Sequence, residues 1–271
     1  VLIIEQSDPL QQRPDGILLP GRVPAAERDP LAPRQGEGHV LVDRQAVVDR
    51  RRLGLPAAAA LGAGGFRILG AHTDSPNLRL KPEPDVSAHG YRQLAVEPYG
   101  GVLLHTWLDR DLSLAGRVSL AQDEQVRTVL IDFARPMLRI PNLAIHLFRE
   151  IKEQGLKINP QHHAVPVIGL DDTPPIRELL ATELRAQGLS VGRADQVLSF
   201  DLMLYDTQPS GVIGSRGEFI SAPRLDNLAS THAILTALQR SCAGGPAPFT
   251  RVAVFYDHEE VGSRSASGAE G

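Results

Sequence analysis

TRVAVFYDHEE, residues 250–260, carries an unbroken apolar run from Val252 to Tyr256 into three acids and a histidine. A short run of β-branched and aromatic residues reads as a buried strand. Asp257-His258-Glu259-Glu260 then sets two adjacent carboxylates at the mouth of that strand. If strand alternation persisted, Glu259 and Glu260 would face opposite ways. At a strand end that turns, both reach one cleft from different angles. One can then ligate a metal while the other stays off it as a general base for water.

Working outward, the elements around this strand alternate. LASTHAILTALQRSC (228–242) precedes it as a helix, and FISAPRLDN (219–227) as a strand and turn. TPPIRELLATELRAQGLS reads as a helix with Pro near its start and Gly188 near its end. HHAVPVIGL and QVLSFDLMLYD read as strands. PNLAIHLFREIKEQG is a predicted helix, because Leu143, Leu147 and Ile151 recur at four-residue spacing and Gly155 follows as a stop. Upstream, QLAVEPYGGVLLHTWLDRDLSLAGRVSL and QVRTVLIDF read as several strands with glycine turns, and FRILGAHTDSP as a strand running into a polar turn. Strands alternating with helices argue for an α/β sheet. The strand-rich middle reads as a separate insertion. The first 65 residues are rich in Arg, Pro, Ala and Gly, with short strands suggested only at LLPGRV and HVLVDRQAVV.

Bulk properties narrow the function classes. A chain of 271 residues with 42% hydrophobic and 22% charged residues can bury one large or two modest cores. A net charge of −4 gives no electrostatic reason for a nucleic-acid or anionic-membrane partner. No stretch is long and apolar enough to span a bilayer, and the N-terminal residues do not read as a secretory signal. The single cysteine, Cys242, cannot form an internal disulfide, which fits a reducing cytoplasm. It is expected in a loop before the Gly-Gly-Pro turn, not in a catalytic pocket.

Two further clusters lie at strand ends. In Ala71-His72-Thr73-Asp74, strand alternation turns His72 and Asp74 to one face. A carboxylate two residues away can fix a metal-binding imidazole and its tautomer. In Pro223-Arg224-Leu225-Asp226-Asn227, the Asp226 carboxylate has two oxygens with which to bridge two cations. Each cluster alone has an ordinary reading: a hydrogen-bonded histidine, a helix N-cap, a solvated acidic face. Together, in the order HxD, D, EE, they form the layout of a co-catalytic two-metal exopeptidase. Hard oxygens plus imidazole, with no thiolate, suit zinc, cobalt or manganese.

The segments GAHTDSPNLRLKP (70–82), TWLDRDLSLAGRV (106–118), RIPNLAIHL (139–147), SAPRLDN (221–227) and FYDHEEVGSRSASGA (255–269) resemble the M18 metallo-aminopeptidases, the aspartyl aminopeptidase family. The motif resemblance runs from about Phe66 to Gly271. It implies an α/β, mixed-sheet exopeptidase-type catalytic domain, incomplete here, interrupted by a β-rich dimerisation domain. The expected partition is residues 1–85 and 215–271 for the catalytic domain and 86–214 for the insertion. It also implies two Zn²⁺ per complete site, with His72 on the first, Asp226 bridging and Glu260 on the second. Glu259 would be the general base and Asp74 would orient His72. The implied reaction is hydrolysis of the N-terminal peptide bond of a peptide substrate, with preference for an acidic first residue. The implied assembly is a homo-oligomer, dimers building a dodecamer.

Several features depart from the family. A later aspartate and a histidine that complete the two metal sites lie beyond Gly271, so the chain reads as a C-terminally truncated fragment with impaired activity. Residues 1–65 do not carry the family's motifs, which suggests a divergent start or a disrupted frame. Asn142 stands where some members place a histidine that reaches a neighbour's active site, and His146 of the same motif reads as structural. Two alternatives stay open: an inactive oligomerising remnant, and another two-metal exopeptidase of different specificity.

Overall fold

The computed structural model describes residues 2–4, 39–43, 46–49, 65–122 and 125–270. The strand expected at LLPGRV lies outside the described residues. Strands in chain order are β1 (Leu2–Ile4), β2 (His39–Asp43), β3 (Ala46–Asp49), β4 (Phe66–His72), β5 (Asn77–Ala88), β6 (Tyr91–Tyr99), β7 (Leu112–Gln122), β8 (Gln125–Asp132), β9 (Val167–Leu170), β10 (Val197–Asp206), β11 (Gly211–Ile213), β12 (Phe219–Ser221) and β13 (Thr250–Tyr256). The helices are α1 (Ile151–Gln154), α2 (Pro160–His163), α3 (Ile176–Ala186) and α4 (Leu225–Ala243). The chain divides into two compact units. Val1–Thr73 with Asp226–Asp257 form the first, and Asp74–Leu225 with His258–Gly271 the second.

The first unit is α/β with a mixed sheet, the class that alternating strands and helices imply. Its sheet has the order β1-β13-β4, with β13 antiparallel to β1 and parallel to β4. Val252, Ala253 and Val254 of β13 are buried, as the apolar run requires. Pairing runs from Thr250 opposite Phe66 to Tyr256 opposite His72. Both strands therefore end at the same edge, where open α/β sheets build their ligand sites. Parallel neighbours need a crossover connection. Here α4 precedes β13 and supplies the helix, and residues 74–225 enter the chain between β4 and α4. Within HVLVDRQAVV, where strands are expected, β2 pairs antiparallel with β3.

Cys242 lies in the last turn of α4, not in the expected loop. Ile234, Leu238 and Cys242 recur every four residues and pack on Ala253 and Phe255 of β13. That apolar face carries the helix up to the glycines at 244 and 245.

The second unit is β-rich. Six antiparallel strands have the order β8-β7-β10-β5-β6-β9. One face is lined by Leu78, Leu80, Leu94, Leu112, Leu114, Leu202 and Leu204 and covered by α3 through Ile176, Leu180, Ala181 and Leu184. These residues follow the period of two for strands and of 3.6 for the helix. Strand β5 contains Pro82 and Pro84. Its pairing with β6 skips from Leu80–Val96 to Asp85–Leu94, so the prolines fall in a bulge where no ladder donor is needed. Asp85, just after the bulge, accepts the Ile176 N–H at 3.0 Å and so caps the start of α3.

Two sequence expectations are corrected here. The helix expected over 141–155 is reduced to α1, four residues long. Leu143 and Leu147, whose spacing suggested it, are 60% and 75% exposed, so periodicity had no packed surface to reward it. In HHAVPVIGL the strand begins only at Val167. The two histidines instead end α2, whose first turn is capped by Asn159. No helix among the described residues is long and apolar enough to cross a membrane.

Candidate metal centre

His72 is the last residue of β4. Two bonds from Thr73 to the Tyr256 carbonyl hold the strand end against β13: the backbone N–H at 2.9 Å and the hydroxyl at 3.2 Å. The Thr231 hydroxyl of α4 donates to the His72 carbonyl at 3.4 Å. Strand and helix are thus tied at the point where the imidazole leaves the backbone.

Asp226 opens α4. Its backbone (φ −86°, ψ 109°) and that of Asn227 (φ −119°, ψ 29°) are not helical, so regular helix begins only after them. Asp226 Oδ1 lies 3.2 Å from His72 Nε2, with the histidine side chain 12% and the aspartate side chain 87% exposed. Two atoms bound to one zinc at about 2.0–2.2 Å in a tetrahedral arrangement stand about 3.3–3.5 Å apart. The imidazole nitrogen and carboxylate oxygen therefore fit two corners of such a site. The same distance also suits a hydrogen bond between the two side chains. Only the second carboxylate oxygen of Asp226 would be needed for another ion.

In the second unit Asp74 is buried at 8% exposure. Its Oδ2 accepts two hydrogen bonds, from the Tyr99 hydroxyl at 2.7 Å and from the Glu260 backbone N–H at 3.1 Å. Glu259 and Glu260 stand in a short 3-10 helix, Glu259–Val261. It is flanked by left-handed residues, His258 (φ 64°) and Gly262 (φ 96°). The turn is closed by Gly262 N–H to the Glu259 carbonyl at 2.9 Å and Ser263 N–H to the His258 carbonyl at 2.8 Å. His258 Nδ1 lies 2.5 Å from Ser265 Oγ. Successive residues of a 3-10 helix point about 120° apart. Glu259 is accordingly exposed while Glu260 is partly buried. This is the turning strand end that lets adjacent glutamates take different environments.

Within single units, His72 meets Asp226 and Asp74 meets Glu260, and Glu259 stands beside Glu260 in the same short 3-10 helix. Asn142 and His146 are exposed, and the Asn142 N–H donates to Asp109 at 3.1 Å. Sequence reasoning missed Tyr99, Gly100 and Ser265, and quoted His258 within its acidic run without giving it a role. The signal available for the first two was Glu97-Pro98-Tyr99-Gly100-Gly101, a polar glycine turn at the end of an apolar strand, which reads simply as a hairpin end.

The family model described as aminopeptidase I zinc metalloprotease (M18) matches residues 59–271. The probable M18 family aminopeptidase 2 of Stutzerimonas stutzeri is 47% identical over 249 residues, 90% of this chain and 56% of that protein. That alignment covers more than residues 66–271 can supply, so similarity reaches further upstream than the motifs. Among solved structures, the complex of Ape4 with Nbr1 aligns with TM-score 0.71 at 40% identity, over 76% of this chain and 43% of that one. The S. cerevisiae mApe1 dodecamer aligns with TM-score 0.58 at 27% identity, over 76% of this chain and 46% of that one. The chain spans about half the length of the curated relatives it matches.

Proposed function

The chain belongs to the M18 family of aminopeptidase I zinc metalloproteases, and from that premise we propose that it acts in zinc-dependent hydrolysis of N-terminal peptide bonds. The observation that carries this reading is the approach of His72 Nε2 to Asp226 Oδ1, 3.2 Å apart where β4 ends and α4 begins. An imidazole nitrogen and a carboxylate oxygen are ligand types that catalytic zinc takes. His72, Asp226 and Glu260 are the proposed ligands, with Asp226 common to two ions. Bound zinc would polarise the scissile carbonyl and lower the pKa of water. Glu259, exposed beside its partly buried neighbour, takes the proton of the attacking water as its oxygen bonds the carbonyl carbon. The same carboxyl returns the proton to the amine nitrogen as the C–N bond breaks. Asp74, held by two donors, keeps its carboxylate in one orientation throughout and serves as the positioning acid.

The preferred substrate class is a peptide with an acidic first residue, which rests on the resemblance of the five motifs. The setting we propose is the cytoplasm, where a lone thiol such as Cys242 stays reduced. Homo-oligomerisation through residues 86–214 is also proposed. It is supported by the exposed Val126, Leu143, Ile145 and Leu147 of that stretch and by the dodecamer formed by mApe1. The catalytic proposal is tested by assaying the purified chain on aspartyl- and leucyl-anilides with added zinc. Turnover that chelators remove and zinc restores, faster on the aspartyl substrate, is expected. Because the chain's own proposed ligands number three for two ions, that turnover should be slow. Chelator-resistant turnover would refute the metal role, and equal rates on both substrates would refute the acidic preference.

A further inference from the structure

We propose that the end of β6, Tyr99 with Gly100, is a positioning device that sets Glu260 for its metal. The inference rests on the reading of Glu260 as a ligand. Two independent contacts carry it, both within the second unit. The first is polar. Tyr99 is 6% exposed, and its hydroxyl donates to the same oxygen of Asp74 that accepts the Glu260 N–H. A buried phenol needs a partner for its O–H, and any buried carboxylate would serve. Here the chosen oxygen is the one that also tethers the proposed ligand's own backbone. Asp74 thus acts as a strut, and Tyr99 holds the strut.

The second contact is steric. Gly100 adopts φ +72°, and a Cβ built there would lie 2.8 Å from Glu260 Cβ and 3.1 Å from the Glu260 carbonyl oxygen. Only glycine permits this approach without displacing the turn. Tyr99 itself closes β6 opposite Asn77 of β5, so the device is mounted on the six-stranded sheet, not on a loop. Ligands keep their geometry when the groups behind them are fixed in this way, and loss of such support typically weakens metal binding about 10–100-fold.

The test uses the full 271-residue chain as wild type, Tyr99→Phe, Gly100→Ala and Glu260→Ala. Each protein is titrated with Co²⁺, and the visible ligand-field band reports both affinity and coordination geometry. Thermal unfolding without metal checks the fold. Tyr99→Phe keeps the ring and removes one donor. Its metal-free melting should fall by no more than the loss of one buried hydrogen bond brings, while cobalt binds about 10–100-fold more weakly with an altered band. Gly100→Ala should weaken binding at least as much. If Gly100→Ala fails to fold, Tyr99→Phe decides alone. Wild-type affinity and spectrum in Tyr99→Phe, with binding lost in Glu260→Ala, would overturn the positioning role and leave the ligand reading standing. Glu260→Ala indistinguishable from wild type, including the case where neither binds, would remove the ligand reading and the positioning role with it.

Discussion

Glu259 and Glu260 are chemically identical neighbours with different surroundings, and the roles proposed for them rest on that difference. Glu260 is partly buried and its N–H is tied to Asp74, whereas Glu259 is exposed. Glu259→Gln keeps the shape and removes the proposed base. Turnover should fall about 10²–10⁴-fold while zinc binding stays at the wild-type level; parallel loss of zinc would place Glu259 among the ligands instead. Tyr205 shows the same dependence on environment. Burial, and then its hydrogen bond to Asp132 at 2.6 Å, push its pKa up from the usual 10.0 to about 12. The fold favours the neutral phenol, so between these values the folded state holds a proton that the unfolded state has lost. The stabilisation is complete below about pH 10 and fades as pH rises toward 12. Alkaline unfolding curves of wild type and Tyr205→Phe should diverge in that window, and coincident curves would disprove the coupling. At this scale the acids and His72 stand out in the sequence as candidates because spacing and chemistry mark them. Tyr99 does not, since a phenol says nothing about which distant carboxylate it will meet.

At the scale of elements, α3 shows where sequence and packing agree. Ile176, Leu180 and Leu184 recur every four residues and are all buried, and two prolines precede the first turn. Leu180→Ala should cost about 2–5 kcal/mol of stability in denaturant unfolding, because the side chain is fully enclosed. Asp85→Ala, which removes the acceptor of the Ile176 N–H, should cost about 1 kcal/mol. A larger effect for Asp85 than for Leu180 would contradict this account of α3. The stretch 141–155 has the same leucine spacing and forms no long helix, since Leu143 and Leu147 stay exposed. Periodicity shows what a helix could bury, not whether a surface is there to receive it. Strand β5 escaped notice for the converse reason. Two prolines argue against a strand, yet a bulge between Leu80 and Asp85 accommodates both.

At the scale of the molecule, the α/β class was legible from the order of elements, and the family from five motifs spread between residues 70 and 269. The division into units was less so, because its boundaries at Thr73–Asp74, Leu225–Asp226 and Asp257–His258 fall inside those motifs and not in linkers. A composition shift marks a linker, but nothing in composition marks a boundary between a strand end and the acidic turn that follows it. Self-association belongs to this scale too. Light scattering of the purified chain should give a mass at least twice 29.3 kDa, and Leu147→Lys should lower it; a monomer in wild type would contradict the proposed assembly. The central claim is that His72, Asp226 and Glu260 hold divalent zinc. Its most direct measurement is an equilibrium zinc titration of wild type beside His72→Ala, Asp226→Ala and Glu260→Ala. Each substitution should weaken zinc binding, Asp226→Ala most if its carboxylate serves two ions as proposed; wild-type zinc binding in all three variants would contradict the claim.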